Sequence, residues 1–182
     1  MKYFIASDIH GSYYYCEKMI EAFKNEKADR IILLGDILYH GPRNDLPKDY
    51  NPKKVIELLN EYKDYILCVR GNCEAEVDQM VLKFPCLAEY ALLNINNNVV
   101  FITHGHKYNL DNIPCLKQGD IMLCGHTHVP TIETRDGITY LNPGSVSIPK
   151  NKSYNGYMTL EKNIFIFKDF EGNVRNTYEH TK

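Results

Sequence analysis

Short apolar runs recur along the chain, and in its first half segments with helical periodicity separate them. Runs of four or five consecutive apolar residues are typical of strands that are covered on both faces. Between the runs, Ser12 can cap a helix that ends near Asn25, and Pro52 can begin a second helix. This alternation predicts βαβ units and a parallel sheet. The predicted strands of this half are residues 3–6, 31–34 and 65–69.

The second half has a different pattern. A short helix is expected over residues 74–82, where Pro85 ends it, and from Tyr90 onward β-prone runs alternate with turn residues. We therefore expect mostly antiparallel strands after Tyr90. The whole pattern predicts an α/β fold in which helices flank a sandwich of two β-sheets, in a single domain over residues 1–182.

Five of the apolar runs end in residues that bind metal ions. Loops beyond the carboxyl ends of strands line the active-site crevice in open α/β sheets, so these residues should converge. Taken singly, each segment is more simply explained as a turn at the end of a strand. Their conjunction favours a site for two metal ions. The segments are Asp8-Ile9-His10, Gly35-Asp36, Gly71-Asn72-Cys73, Thr103-His104-Gly105-His106 and Gly125-His126-Thr127-His128.

The residue types indicate which chemistry such a site would perform. Two divalent ions can clamp a phosphoryl group and deprotonate a water that bridges them, and they need a shared anionic ligand. Asp36, alone on its loop, is the candidate bridge, and Asp8 and His10 can chelate one ion from an extended segment. Imidazole, carboxylate and amide ligands suit Mn²⁺, Fe²⁺, Zn²⁺ or Ni²⁺. The pocket stays cationic, which predicts a phosphate-bearing substrate.

The order of these motifs resembles the calcineurin-like metallophosphoesterase superfamily. Within it, the segments GDILYHGPRN, VRGNCEAEVDQM, THGH, GHTHVP and NPGSVSIPK are similar to the YfcE-type bacterial phosphodiesterases. The resemblance implies a four-layer α/β/β/α fold with two mixed sheets, and a phosphodiesterase that works with two divalent ions, most often manganese. It assigns Asp8, His10, Asp36 and His128 to one ion, and Asp36, Asn72, His104 and His126 to the other.

Further site residues come from the same motifs. Many superfamily members have histidine where this chain has Cys73, so the general acid is in question, and a thiol is a weaker acid than imidazolium. Diesters with good leaving groups should therefore be preferred to alkyl phosphomonoesters. His40 and Arg43 are candidates to contact the phosphate or its substituent. The expected catalytic residues are Asp36, Asn72, Cys73 and His104, and the expected substrate-binding residues are His40, Arg43 and Cys73.

Charge and composition exclude several classes of protein. The 21 Lys and Arg residues nearly balance the 23 Asp and Glu residues, which argues against long nucleic acids as partners. No apolar stretch approaches the roughly 20 residues of a membrane span. The six cysteines form no C-x-x-C pair, and Cys68, Cys86, Cys115 and Cys124 are expected in the core, so a reducing cytoplasmic location is expected.

Two other functions stay open from the sequence. One is a non-catalytic scaffold or interaction module with the same fold, like the scaffold subunit of the eukaryotic retromer coat, which lacks some of the metal ligands. The other is a phosphatase or nuclease that acts on nucleotides. A small phosphodiester is the expected substrate, and a homo-oligomer is left open.

Overall fold

The computed structural model describes residues 1–181, so the last residue of the expected domain lies outside the described residues. Three helices and eleven strands make up its regular structure, with a short 3-10 turn at Lys63–Tyr65. The helices are α1 (Tyr13–Glu26), α2 (Pro52–Glu61) and α3 (Glu76–Val81). The strands are β1 (Lys2–Ala6), β2 (Arg30–Leu33), β3 (Ile66–Cys68), β4 (Ala91–Ile95), β5 (Asn98–Ile102), β6 (Ile121–Leu123), β7 (Thr131–Arg135), β8 (Ile138–Asn142), β9 (Gly156–Glu161), β10 (Ile164–Asp169) and β11 (Val174–Glu179).

Two mixed sheets with flanking helices form the fold, as predicted. The first sheet has the order β11-β10-β9-β1-β2-β3, and the second has the order β4-β5-β6-β8-β7. β1, β2 and β3 are parallel, and the C-terminal strands extend that sheet antiparallel from β9. In the second sheet β5, β6 and β8 are parallel neighbours, whereas the outer pairs are antiparallel. The loops that carry the predicted ligands follow the carboxyl ends of five parallel strands, β1, β2, β3, β5 and β6.

Alternate side chains of the strands separate the core into layers. On β1, Phe4 faces α1 and α2, whereas Ile5 faces the second sheet. On β6, Leu123 faces the first sheet and Met122 faces outward. The outer side of Met122 is covered by apolar residues from the irregular segment 105–119 rather than by a helix.

Local sequence explains where the helices begin. The Ser12 side chain accepts a hydrogen bond from the Tyr15 amide at 3.4 Å, and Asn51 does the same for Lys54 at the start of α2. The third helix is shorter than predicted, because Glu74 lies before it in a loop.

All six cysteines are free, but Cys115 is exposed, so the expectation of a core position for it was wrong. Among the described residues, no helix is long and apolar enough to cross a membrane.

Candidate metal centre

Five loops bring buried polar side chains together at one edge of the two sheets. Asp8, His10, Asp36, His104 and His128 are each at most 3% exposed. Asp8 Oδ1 lies 3.5 Å from His10 Nε2 and 3.2 Å from His128 Nε2. Two atoms that each lie about 2.1 Å from one ion at a right or tetrahedral angle are about 3.0–3.4 Å apart. The spacing of these three side chains therefore fits a single ion.

Asp36 joins this group to a second one. Its Oδ2 atom lies 3.7 Å from His10 Nε2 and 3.5 Å from His104 Nε2. One oxygen of this carboxylate thus lies between two sets of donors, as a bridging ligand would. The other oxygen, Oδ1, accepts a hydrogen bond from the Cys73 amide at 2.9 Å, which fixes the orientation of the carboxylate.

Three of the histidines are held by their outer ring nitrogen. The Nδ1 atoms of His10, His104 and His128 lie 2.6–2.8 Å from the backbone carbonyls of Tyr39, Leu34 and Ile148, respectively. A carbonyl only accepts, so each Nδ1 carries a proton, and in its neutral form each ring directs a lone pair from Nε2 into the site.

This arrangement leaves lone pairs in contact. His10 Nε2 and His128 Nε2 are only 3.2 Å apart, and Asp8 Oδ1 has no hydrogen-bond partner within residues 1–181. Such contacts between buried acceptors are unfavourable unless a cation or a proton lies between them. The donor set therefore fits metal ions.

The remaining predicted ligands lie beside this cluster. Asn72 Oδ1 is 3.0 Å from His104 Nε2, and the rings of His104 and His126 are 5.0 Å apart. The Asn72 amide nitrogen donates to Cys73 Sγ at 3.3 Å, which leaves its oxygen toward His104. Cys73 Sγ also lies within 4.8 Å of ligand atoms of His10 and Asp36, so this side chain is at the site.

The backbone of the ligand loops is unusual. Asp8, His10, Asp36, His126 and His128 all have φ between +50° and +69°. Non-glycine residues rarely adopt this left-handed conformation, and they concentrate at functional sites. The expectation that Asp8 and His10 chelate from an extended segment was wrong, because the chain turns at both residues. Their side chains nevertheless meet.

Two glycines are required for close approach rather than for a turn, since neither has a positive φ. A Cβ atom on Gly71 would lie 2.1 Å from Asp36 Oδ1, and one on Gly125 would lie 1.9 Å from Ser7 Oγ. Loops from different strands therefore pack directly against each other at these positions.

Sequence reasoning missed Glu74. Its buried carboxylate accepts hydrogen bonds from the backbone amides of Asp36, Ile37 and Gly71, and so ties the Asp36 loop to the Asn72 loop. Burial raises the pKa of this carboxyl group. A possible signal was the acidic residue two positions after Asn72, which a predicted helix over residues 74–82 concealed.

The motif Asn142-Pro143-Gly144-Ser145, to which sequence reasoning assigned no site residue, positions predicted ligands. Asn142 is fully buried and donates to the Gly125 carbonyl at 2.6 Å, in the loop that carries His126 and His128. Ser145 Oγ donates to the Asp8 carbonyl at 2.7 Å. The signal was its position after β8, whose carboxyl end lies at the same edge.

Electrostatics in the metal-free protein reflect the crowded carboxylates. Burial disfavours a charged His104, but its contacts with Asp36 and Asp8 outweigh burial and raise its pKa to about 9. Burial lowers the pKa of His126 to about 4, so this ring is neutral at pH 7. Metal ions that bind to His104 must displace its proton, which couples metal binding to pH.

Next to the ligands lies a cleft of about 320 Å³. Arg43 lines it, as does Cys73, whereas His40 does not: the His40 ring packs 4.8 Å from Tyr39 and 5.3 Å from Tyr50. Burial raises the pKa of the Cys73 thiol, which is therefore protonated at neutral pH. Lys150, which sequence reasoning did not single out, also lines the cleft.

Comparison with known proteins agrees with this geometry. Residues 1–163 match the family model of the calcineurin-like phosphoesterase superfamily domain. Phosphodiesterase YfcE of Escherichia coli K12 is 46% identical over 164 residues, which cover 90% of this chain and 89% of that protein. The solved structure of YfcE, described as a phosphoesterase from E. coli, superposes with a TM-score of 0.95 and 41% identity, and covers all of both chains.

A more distant solved structure shares only the fold. Vps29 of Entamoeba histolytica, crystallised with Zn²⁺, has a TM-score of 0.60 and 15% identity, and the superposition covers all of both chains. On the family model and the identity to YfcE, this chain belongs to the calcineurin-like phosphoesterase superfamily.

Proposed function

We propose that this superfamily member is a metal-dependent phosphodiesterase that cleaves small phosphodiesters at the centre described above. The observation that carries the proposal is the position of Asp36 Oδ2 between His10 Nε2 and His104 Nε2. A carboxylate shared between two sets of donors is what a pair of metal ions requires. The name of the E. coli relative, a phosphodiesterase, supports the same reaction.

Seven side chains would hold the two ions. The contacts of Asp8 with His10 and His128 support one group of ligands, which Asp36 completes. The second group joins Asp36 to His104 and Asn72, with His126 nearby. Oxygen and imidazole donors suit Mn²⁺, Zn²⁺, Fe²⁺ or Ni²⁺, and the resemblance to YfcE-type phosphodiesterases favours manganese among them. Bound divalent ions would supply Lewis acidity and lower the pKa of water.

The other site residues would bind and orient the substrate. Cys73 S–H is the group available to protonate the leaving oxygen, and its raised pKa makes it a weak acid. Leaving groups that depart without a proton, such as nitrophenolate, should therefore react best. Arg43 would contact the phosphate or its substituent from the cleft wall. His40 does not line the cleft and would act on the substrate only indirectly. Its carbonyl accepts a hydrogen bond from the Asn44 side chain, and Asn44 does line the cleft.

The cellular setting follows from the same observations. Six free cysteines support a location in the reducing cytoplasm. The chain would act as one domain over residues 1–182, with a homo-oligomer left open. A scaffold role is less well supported, because every predicted ligand position is filled. Metal content after purification separates the two functions, since a scaffold without catalysis needs no stoichiometric metal.

The decisive experiment is turnover of bis-p-nitrophenyl phosphate in manganese after chelator treatment. The wild-type protein should regain activity with manganese, and Asp36→Asn should not. Asp64→Asn is the matched control, because Asp64 is an exposed aspartate remote from the ligand cluster, with a side chain 82% exposed. Activity that persists in Asp36→Asn would refute the bridging role.

A further inference from the structure

The metal cleft is lined by two cations that come from different loops. Arg43 follows β2 and Lys150 follows β8, and both side chains are exposed. Neither forms an ion pair with a carboxylate anywhere in residues 1–181. Unpaired cations that face a cleft raise the local concentration of anions there. The Lys150 amide donates to the His128 carbonyl, which ties this residue to the ligand loop.

An adjoining cleft provides a comparison. It has a volume of about 390 Å³ and shares His126 and Thr127 with the metal cleft. Its cation Arg135 is already paired, at 2.9 Å with Asp111 and 3.1 Å with Glu133. With one cation and two carboxylates, the adjoining cleft offers a net negative, partly apolar surface. The metal cleft can therefore bind an additional anionic group, whereas the adjoining cleft cannot.

The scissile phosphate does not need these cations. Only two of the seven proposed ligands, Asp8 and Asp36, are anionic, and two divalent ions carry four positive charges. The metal centre is therefore cationic without help from the cleft wall, and a phosphodiester brings a single negative charge. Arg43 and Lys150 add two positive charges beyond that requirement. The Glu74 carboxylate is bound by three backbone amides and does not line the cleft, so it does not pair with either cation.

We propose that Arg43 and Lys150 bind a second anionic group, a phosphate dianion carried on one ester arm of the substrate. The natural substrate is then an asymmetric diester with a terminal phosphate on one side and an uncharged arm toward the adjoining cleft. Two cations match two negative charges, and the arginine fork matches phosphate oxygens. This inference rests on the proposed phosphodiesterase function.

Three synthetic diesters test it. All share p-nitrophenolate as the leaving group, and the second arm is an alkyl chain that ends in a phosphonate, a carboxylate or a methyl group. In manganese, kcat/KM should be about tenfold higher for the phosphonate than for the methyl compound, with the carboxylate between them. The difference should lie in KM, because a remote anion is bound equally in the ground and transition states.

Variants locate the contact. Lys150→Ala should reduce the ratio of kcat/KM between the phosphonate and methyl diesters by about threefold, again through KM, because Arg43 and Lys150 share the tenfold preference. Arg43→Ala should reduce it to a similar extent. Lys152→Ala is the matched control, because Lys152 is an exposed lysine two residues away that does not line the cleft. In this variant the ratio of kcat/KM between the phosphonate and methyl diesters should equal the wild-type ratio.

Several outcomes would overturn the inference. A wild-type protein that cleaves all three diesters equally has no site for a second anion. If Lys150→Ala lowers kcat/KM for the phosphonate and the methyl diester to the same extent, the lysine contacts the scissile phosphate instead. Cleavage of a long single-stranded oligonucleotide as fast as the phosphonate diester would indicate a nuclease. Failure to cleave any of the three diesters would instead contradict the proposed function itself.

Discussion

Two clusters of charge in this molecule, one partly buried and one fully buried, are built in opposite ways. In the first, Glu26 on α1 accepts hydrogen bonds from Lys2 and Lys168 at 2.6 Å each and from the Tyr157 hydroxyl at 2.9 Å. Every charge in that cluster has a protein partner. At the metal centre, by contrast, the Nε2 atoms of His10 and His128 face each other and Asp8 Oδ1 lacks a hydrogen bond.

The difference separates structural from functional polar clusters. Protein partners satisfy the Glu26 carboxylate, so this cluster stabilises the fold by holding α1 to the strands of the first sheet. The metal centre keeps its acceptors unsatisfied because their partners are the ions that we propose. Four predictions test this contrast, from the largest expected effect to the smallest.

Asp8→Asn should remove catalysis while leaving the fold intact. The amide supplies no anionic charge to the metal group of His10 and His128, so turnover of bis-p-nitrophenyl phosphate should fall about 10³-fold or more, because changes to groups that only orient ligands already cost about 10- to 100-fold. Isothermal titration should show weaker manganese binding. The reciprocal control is Glu26→Gln, which changes the other charge cluster and should keep turnover within about twofold of wild type. Wild-type turnover in Asp8→Asn would instead place Asp8 outside the metal site.

The metal-free protein should lose stability as pH rises. Because the folded pKa of His104 is about 9 and the unfolded value is about 6.5, its contribution is fully present below pH 6.5 and is lost as pH rises through 9. The loss amounts to at most about 3 kcal/mol. Urea unfolding with chelator at pH 6 and pH 9.5 measures it, and His104→Gln should flatten the dependence. An equally steep slope in that variant would assign the effect to other groups.

Glu26→Ala should destabilise the fold without affecting catalysis. The change leaves Lys2 and Lys168 without their shared carboxylate, and the free energy of unfolding should fall by about 2 kcal/mol. Turnover should remain within about twofold of wild type, since this cluster does not line the metal cleft. A large loss of activity at unchanged metal affinity would show that the two clusters are coupled.

Cys73→His should shift the reaction toward monoesters. An imidazolium is a stronger acid than the buried thiol, so the ratio of monoester to diester turnover should rise about tenfold. The matched control is Cys73→Ser, which keeps a small hydroxyl donor of low acidity. If the ratio in Cys73→His stays at the wild-type value, a missing acid does not limit monoester hydrolysis.

The hydrophobic pattern was sufficient to locate the strands that precede the predicted ligand loops. The five apolar runs that precede the predicted ligand segments each coincide with a strand to within a few residues. Their apolar character reflects burial on both faces, which is a local property of the sequence. The expectation of a mostly antiparallel second half was correct for the outer strands. It did not identify β5-β6 and β6-β8 as parallel, although β5 and β6 precede the histidine loops.

The sequence by itself determined which residue types end these strands, because ligand chemistry depends on side-chain identity and the motifs are contiguous in the chain. Only the tertiary structure decided how the loops are held. Glu74 and Asn142 act on backbone groups of loops that are distant in sequence, and Lys150 reaches the cleft from a third loop. Those contacts depend on sheet order and on left-handed turns at Asp8 and Asp36, and a one-dimensional pattern does not encode either feature.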